Sequence, residues 1–322
     1  MNTLEGKAWR VLSGAKGVGP KTLWLIADYL STQKKTASWL LQDPDRIKAA
    51  LMGSKAGIVI PDFVDQEYVE VEKFAGQQVT VLHPLNPDFP QRIRTLKDKI
   101  SLPAILYVTG NVAILNRPGV AIVGGRYAGA AALAAADSLA AELAAKGVNI
   151  ISGYAAGIDT AAHLAALRAG GTTSVVLSEG IDHFQTKQEL REFLTAENTL
   201  VISQFEPDAK WASYLAMTRN KLVCALSGAV LVIVSRPERD LNGRMSGTFD
   251  AGMTALKMGV PVFVAAPDHF ADNPEGNRQL IANGCRAWDP AAGAAPILAA
   301  INSNADKKLP PKRLNLFEKS SD

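Results

Sequence analysis

The chain has 322 residues, a formal net charge of +3 and 48% hydrophobic residues, enough to bury a large core and to divide into more than one unit. So small a positive excess excludes a histone-like bulk polycation, and any site for a polyanion has to be a local patch. The only two cysteines, Cys224 and Cys285, both stand in apolar surroundings. They offer neither a disulfide framework nor a zinc cluster, and the site is expected to hold no metal. With no run of about 18 apolar residues and no basic-then-apolar leader, the expectation is a cytoplasmic protein without a membrane partner.

In chain order, residues 1–75 read as a small helical domain. Trp9, Val11 and Leu12 lead into a turn at Gly17-Val-Gly19-Pro-Lys21, after which Leu23, Ile26, Ala27 and Leu30 recur at helical spacing. The turn resembles a helix-hairpin-helix, in which backbone N–H groups at a helix start meet a DNA phosphate; plain helix packing explains it equally well. Another helix is predicted near residues 64–74. Residues 76–115 read as a connector with the first strands, at Val79–Leu82 and Leu102–Gly110. Between them lies His83-Pro-Leu-Asn-Pro-Asp-Phe-Pro90, whose three prolines exclude regular structure.

Over 116–292 apolar, β-branched strands at 119–123, 148–151, 174–177, 199–202, 229–234 and 260–264 alternate with helices at 128–146, 159–169, 187–196, 211–226, 247–258 and 276–283. Apolar runs without alternation fit strands buried on both faces. The predicted fold is therefore α/β, a doubly wound and mainly parallel, extended Rossmann-like sheet.

Ligands of such sheets bind outside the carboxyl ends of the strands, and there the sequence turns polar and glycine-rich. After 119–123 come Gly124, Gly125 and Arg126, read as a phosphate-binding turn: no Cβ blocks the backbone, a helix N-terminus follows, and the arginine fork suits phosphate oxygens. A tight turn with a surface arginine is the competing reading. After the next strand stand Ser152, Gly153 and Gly157, with Asp159 a candidate cap for the helix carrying His163. A third exit is Ser178-Glu-Gly-Ile-Asp182. A fourth holds Arg236, Arg239 and Arg244 and ends at Ser246, Gly247 and Thr248. Arg219, Asn220 and Lys221 open an apolar helix, with Trp211 and Tyr214 ahead of them to stack on bases or pack. His163 reads as a packed histidine rather than a base. One mononucleotide needs two such elements at most, so several of them suggest an extended anion, such as a nucleic-acid strand.

With these motifs in this order, from about Leu85 to Pro290, the chain resembles the DprA/Smf family of DNA-processing proteins. The resemblance implies a protein that binds single-stranded DNA in the strand-end crevice. It would protect the strand and hand it to a RecA-type recombinase in transformation or recombination, without catalysis or cofactor, and act as a homodimer. The sequence departs from the family pattern in having Gly125 for a serine, Lys221 for an arginine and Ser178-Glu179-Gly180 for a glycine-rich turn. An alternative on the same sheet is a nucleotide sensor or a nucleoside-monophosphate phosphoribohydrolase, although Met245-Ser-Gly-Thr-Phe-Asp250 lacks the first glycines of that signature. Residues 293–322 read as a weak helix at 294–301 and a disordered tail. In that tail, Arg313-Leu-Asn-Leu-Phe317 resembles the peptide by which bacterial proteins dock on the replication sliding clamp, with Leu314, Leu316 and Phe317 as its apolar contacts.

Overall fold

A computed structural model describes residues 4–51, 79–270 and 274–305. The helix predicted near 64–74 and the tail peptide of Leu314, Leu316 and Phe317 lie outside these residues. The amino-terminal helices are α1 (Leu4–Gly14), α2 (Pro20–Gln33), α3 (Ala37–Leu41) and α4 (Pro44–Ala50). Gly17 takes φ 86° in the turn between α1 and α2, and α2 starts at Pro20 behind an uncapped Gly19. A proline tolerates that place because its missing N–H would have had no helical partner. Glu5 accepts hydrogen bonds from the Ala37 and Ser38 N–H groups, fastening α3 to α1.

Next come β1 (Thr80–Leu82), α5 (Gln91–Leu96), β2 (Leu106–Gly110), β3 (Gly119–Val123), α6 (Ala130–Ala145), β4 (Asn149–Ser152), α7 (Ile158–Arg168), β5 (Thr173–Val176), β6 (Thr199–Ser203), α8 (Ser213–Leu226), β7 (Ala229–Val232), α9 (Gly247–Lys257), β8 (Val262–Ala265), α10 (Glu275–Ala282), β9 (Arg286–Trp288) and α11 (Ala295–Ala305). The described strands form one sheet in the order β1-β2-β6-β5-β4-β3-β7-β8-β9. From β6 to β9 every neighbouring pair is parallel, while β1 and β2 join antiparallel, Val108 facing Ile202. Strand order reverses beside β3, with β4 to one side and β7 to the other, which puts the switch point at the carboxyl end of β3.

Alternate residues of β3 feed two cores. Val120 and Ile122 pack with α6, α7 and α11, where Ala136, Leu139, Ile297 and Ile301 are buried. Ala121 and Val123 face the core of α8 and α9, which continues into Trp9, Ile26 and Leu30 of the amino-terminal helices. Trp9 stacks on His83 at 5.4 Å, and the Trp24 indole N–H donates to Leu102 O at 3.1 Å, so these helices are fixed to the connector. Two elements differ from expectation. The helix predicted over 187–196 is a single 3-10 turn at Gln188–Leu190, because Lys187 is turned back toward the β4 exit. The helix predicted at 294–301 runs to Ala305 and packs on the sheet, its start held by Glu142, which accepts from the Ala294 N–H at 2.9 Å. Among the described residues no helix is long and apolar enough to cross a membrane.

Candidate functional site

The glycines at the β3 and β4 exits serve close packing of one turn on the other. A Cβ on Gly124 would stand 2.5 Å from Ile158 Cγ1, and one on Gly157, whose φ is 76°, would stand 2.5 Å from the Gly125 and Arg126 carbonyl oxygens. The Gly125 N–H donates to Val234 O at 3.0 Å, stitching β3 to the β7 exit across the switch point. That amide is therefore spent inside the fold and not offered to an anion. Space does remain at Gly125, where a Cβ would meet nothing nearer than Val234 O at 3.9 Å. Arg126 is exposed beside this space and carries no side-chain hydrogen bond or ion pair among the described residues.

Arg219 is the opposite case. It is 7% exposed, and its Nη1 lies 3.9 Å from Asp159 Oδ2. The guanidinium lies against the backbone at Gly153, where a Cβ would fall 1.5 Å from Nη1, so only glycine admits the arginine there. Burial raises the Asp159 carboxyl above its ordinary range, and Arg219 pulls it part of the way back with smaller help from the Ala155 N–H and Ser152. Asp159 thus does not cap its helix, as expected from sequence; the cap position is Gly157, and the carboxylate is turned to Arg219 and to the Ala155 N–H at 3.3 Å. Ser152 is fully buried and donates to Ile122 O at 2.6 Å, bracing β4 on β3.

His163 is sealed in the same core. Its Nδ1 pairs with Thr173 Oγ1 at 2.6 Å, and burial depresses its pKa to about 3, so the ring is neutral packing and not a base at neutral pH. Lys187, which the sequence did not single out, reaches Ala155 O at 3.1 Å and Thr160 Oγ1 at 2.7 Å and lies 4.5 Å from the Tyr154 ring. It holds the β4 turn from outside.

Arg126 and Arg219 line a common cavity of about 370 Å³ at the carboxyl ends of β3, β4 and β5. Tyr127 and Trp211, 100% and 51% exposed, and Tyr154 stand on its wall, as does Glu179 of the β5 exit. Glu179 has no side-chain partner among the described residues. The described part of the cavity thus combines one free cation, one braced cation, aromatic rings and one free carboxylate.

The other predicted residues gather elsewhere. Successive residues turn about 100° around a helix, so Arg219, Asn220 and Lys221 cannot face one crevice together. The Asn220 amide donates to Gly247 O at 2.9 Å, and Lys221 is the positive neighbour of the half-buried Asp250 on α9. Ser246 is 4% exposed and caps α9 by accepting from the Phe249 N–H at 3.3 Å. Gly247 lies against Met217 and Asn220, and Thr248 follows it in the first turn of α9. These residues form the seam between α8 and α9. A residue outside that seam carries no signal in the sequence: buried Asn277 on α10 accepts from the Ser235 N–H and donates to Ile233 O and Ala265 O, closing the β7 and β8 ends. Nothing in its local sequence sets it apart from an ordinary helix asparagine.

The chain matches the DNA recombination-mediator protein A family over residues 80–295, which spans the whole sheet. It is 28% identical over 298 residues to protein Smf of Synechocystis, covering 88% of this chain and 70% of that protein. DNA processing protein DprA of Bacillus subtilis is 25% identical, covering 76% of this chain and 78% of its own length. The crystal structure of DprA from Streptococcus pneumoniae superposes with a TM-score of 0.66 at 23% identity, covering 93% of this chain and 98% of that one, and shares the fold. DNA processing protein A from Helicobacter pylori, whose structure concerns its single-stranded DNA binding mode, gives a TM-score of 0.54 at 27% identity, over 71% of this chain and 97% of that one. Strand order, turn packing and this match together place the chain in the DNA recombination-mediator protein A family of DNA-processing proteins.

Proposed function

We propose that the cavity at the β3, β4 and β5 exits is the grip on single-stranded DNA. The observation that carries the reading is the unpaired, exposed Arg126 standing at the mouth of a cavity that also holds Arg219 and three aromatic side chains. A free guanidinium supplies a phosphate contact, and aromatic faces stack unpaired bases that a duplex would hide. The Helicobacter pylori relative, studied in its single-stranded DNA binding mode, supports the same ligand class. In this reading Gly153 and Gly157 shape the site, Arg219 braces it and Arg126 touches the strand, while Asn220, Lys221 and Ser246–Thr248 support α8 from behind. Binding labelled single-stranded and duplex oligonucleotides of equal length at fixed salt tests it. Tighter binding of the single strand, lost in Arg126→Ala, is the expected result; equal or absent binding of both refutes it.

Shielding of the bound strand, its transfer to a RecA-type recombinase and pairing with a second copy are further parts of this proposal. The phosphoribohydrolase reading draws on one feature, the free carboxylate of Glu179 in the cavity. Against it, Asp250, the short acid that ends the 245–250 segment in place of the signature's glutamate, is a neighbour of Lys221 on the α8–α9 seam. Release of ribose phosphate from a nucleoside monophosphate would decide for hydrolysis.

A further inference from the structure

Glu179 is out of place in a site for phosphates. It lines the cavity with Arg126 and Arg219, yet neither arginine is paired with it, and no other described side chain takes up its carboxylate. The carboxylate repels a phosphate beside it, so the group that enters this part of the cavity presents N–H donors instead. The rings of Tyr127, Tyr154 and Trp211 on the same wall fit a flat, unstacked base.

The donor patterns of the bases then discriminate. Against a carboxylate, adenine and cytosine each set one amino donor beside a ring-nitrogen acceptor, and thymine sets one N–H between two carbonyls. Guanine alone offers two adjacent donors, N1–H and the N2 amino group, to the two oxygens of one carboxylate. A cavity lined by an unpaired carboxylate and aromatic rings matches that donor pair.

We propose that the cavity selects a guanine base of the bound strand, with Glu179 accepting from N1–H and N2–H while Arg126 keeps the phosphate contact assigned to it above. The proposal rests on the single-strand reading above. In this arrangement a phosphate of the strand meets Arg126 and only the base meets the carboxylate. Bases lacking the donor pair leave Glu179 desolvated and unpaired, which weakens their binding.

The test is equilibrium binding of labelled nine-nucleotide strands: oligo-dT, the same strand with one central guanine, and the same with a central adenine or hypoxanthine. A single guanine forms no quadruplex, and hypoxanthine removes only the N2 donors, so the protein stays unaltered in that comparison. The expected result is roughly tenfold tighter binding of the guanine strand than of oligo-dT or the adenine strand, with the hypoxanthine strand in between. In Glu179→Gln the preference falls to about one while oligo-dT binding persists. Competing deoxyguanosine monophosphate is expected to weaken the guanine strand selectively. Equal affinities for all strands, or a guanine preference that survives Glu179→Gln, overturns the base assignment and leaves single-strand binding standing. Displacement of every strand alike by the free nucleotide would assign the cavity to a mononucleotide and overturn it too. Absence of binding by any strand takes down both readings.

Discussion

The cavity over β3–β5 and the seam between α8 and α9 are built from the same kinds of residue, and only one of them is left with chemistry to offer. Each has a glycine at a turn, a helix start and basic side chains. At the seam the Ser246 hydroxyl caps α9, the Asn220 amide is taken by Gly247 O, and Lys221 stands by Asp250. In the cavity, Arg219 is bound to Asp159, while Arg126, Glu179 and the rings of Tyr127 and Trp211 remain without polar partners among the described residues. A helix N-terminus with a cation nearby becomes a site only where the fold does not itself consume the donors.

The comparison breaks most sharply at Arg219. Arg219→Ala leaves the buried Asp159 carboxylate without its cation and is expected to cost about 3 kcal/mol in urea unfolding. Gly153→Ala pushes the guanidinium off the backbone and is expected to act in the same direction with a smaller loss. If Arg219→Ala weakens DNA binding and leaves stability unchanged, Arg219 is a ligand contact and not a brace.

Arg126→Ala sharpens the other side. Exposed and unpaired, it is expected to leave the unfolding midpoint unchanged and to weaken single-strand binding about tenfold. Asn220→Ala is expected to do the reverse, losing about 1 kcal/mol of stability by leaving Gly247 O unpaired and sparing affinity.

A pH effect separates the amino-terminal helices from the cavity. His83, stacked on Trp9, is buried enough that its pKa falls from 6.5 to about 4. A depressed histidine stabilises fully above the unfolded value of 6.5 and loses that contribution as pH falls toward 4, at about 1.4 kcal/mol per pH unit. His83→Gln should flatten the stability curve in that window by one proton and leave DNA binding unaltered. A smaller effect is expected at Glu206, which accepts from the Tyr107 hydroxyl at 3.0 Å and Ser13 Oγ at 3.1 Å and lies 3.5 Å from Arg10 Nε. Its pair with Arg10 is partly exposed, so Glu206→Gln should cost under about 1 kcal/mol, measured by the same unfolding assay.

The parallel sheet was legible because strands such as Gly119–Val123 are apolar on both faces, and the glycines at 124, 153 and 157 stand where parts of the chain approach closely. Their purpose was not legible. Sequence shows that Gly153 lacks a side chain but not that Arg219 occupies the room, and it shows Gly125 beside a helix but not that Val234 O takes its N–H. Neighbouring basic residues on α8 looked like one cluster because spacing along the chain conceals rotation around the helix axis. The segment at 187–196 read as helix from its composition, whereas Lys187 is fixed by contacts with Ala155 and Thr160, nearly thirty residues away or more. Glu206, Lys187 and Asn277 act through long-range partners, which no local pattern announces.

The central claim is that the strand's phosphates meet the cavity side and not the seam. The salt dependence of single-strand binding, compared among the unaltered protein, Arg126→Ala and Lys221→Ala, measures this directly. The account predicts that Arg126→Ala reduces the slope of log affinity against log salt by about 0.7 and that Lys221→Ala leaves it unchanged. A reduced slope in Lys221→Ala with an unchanged slope in Arg126→Ala would contradict it.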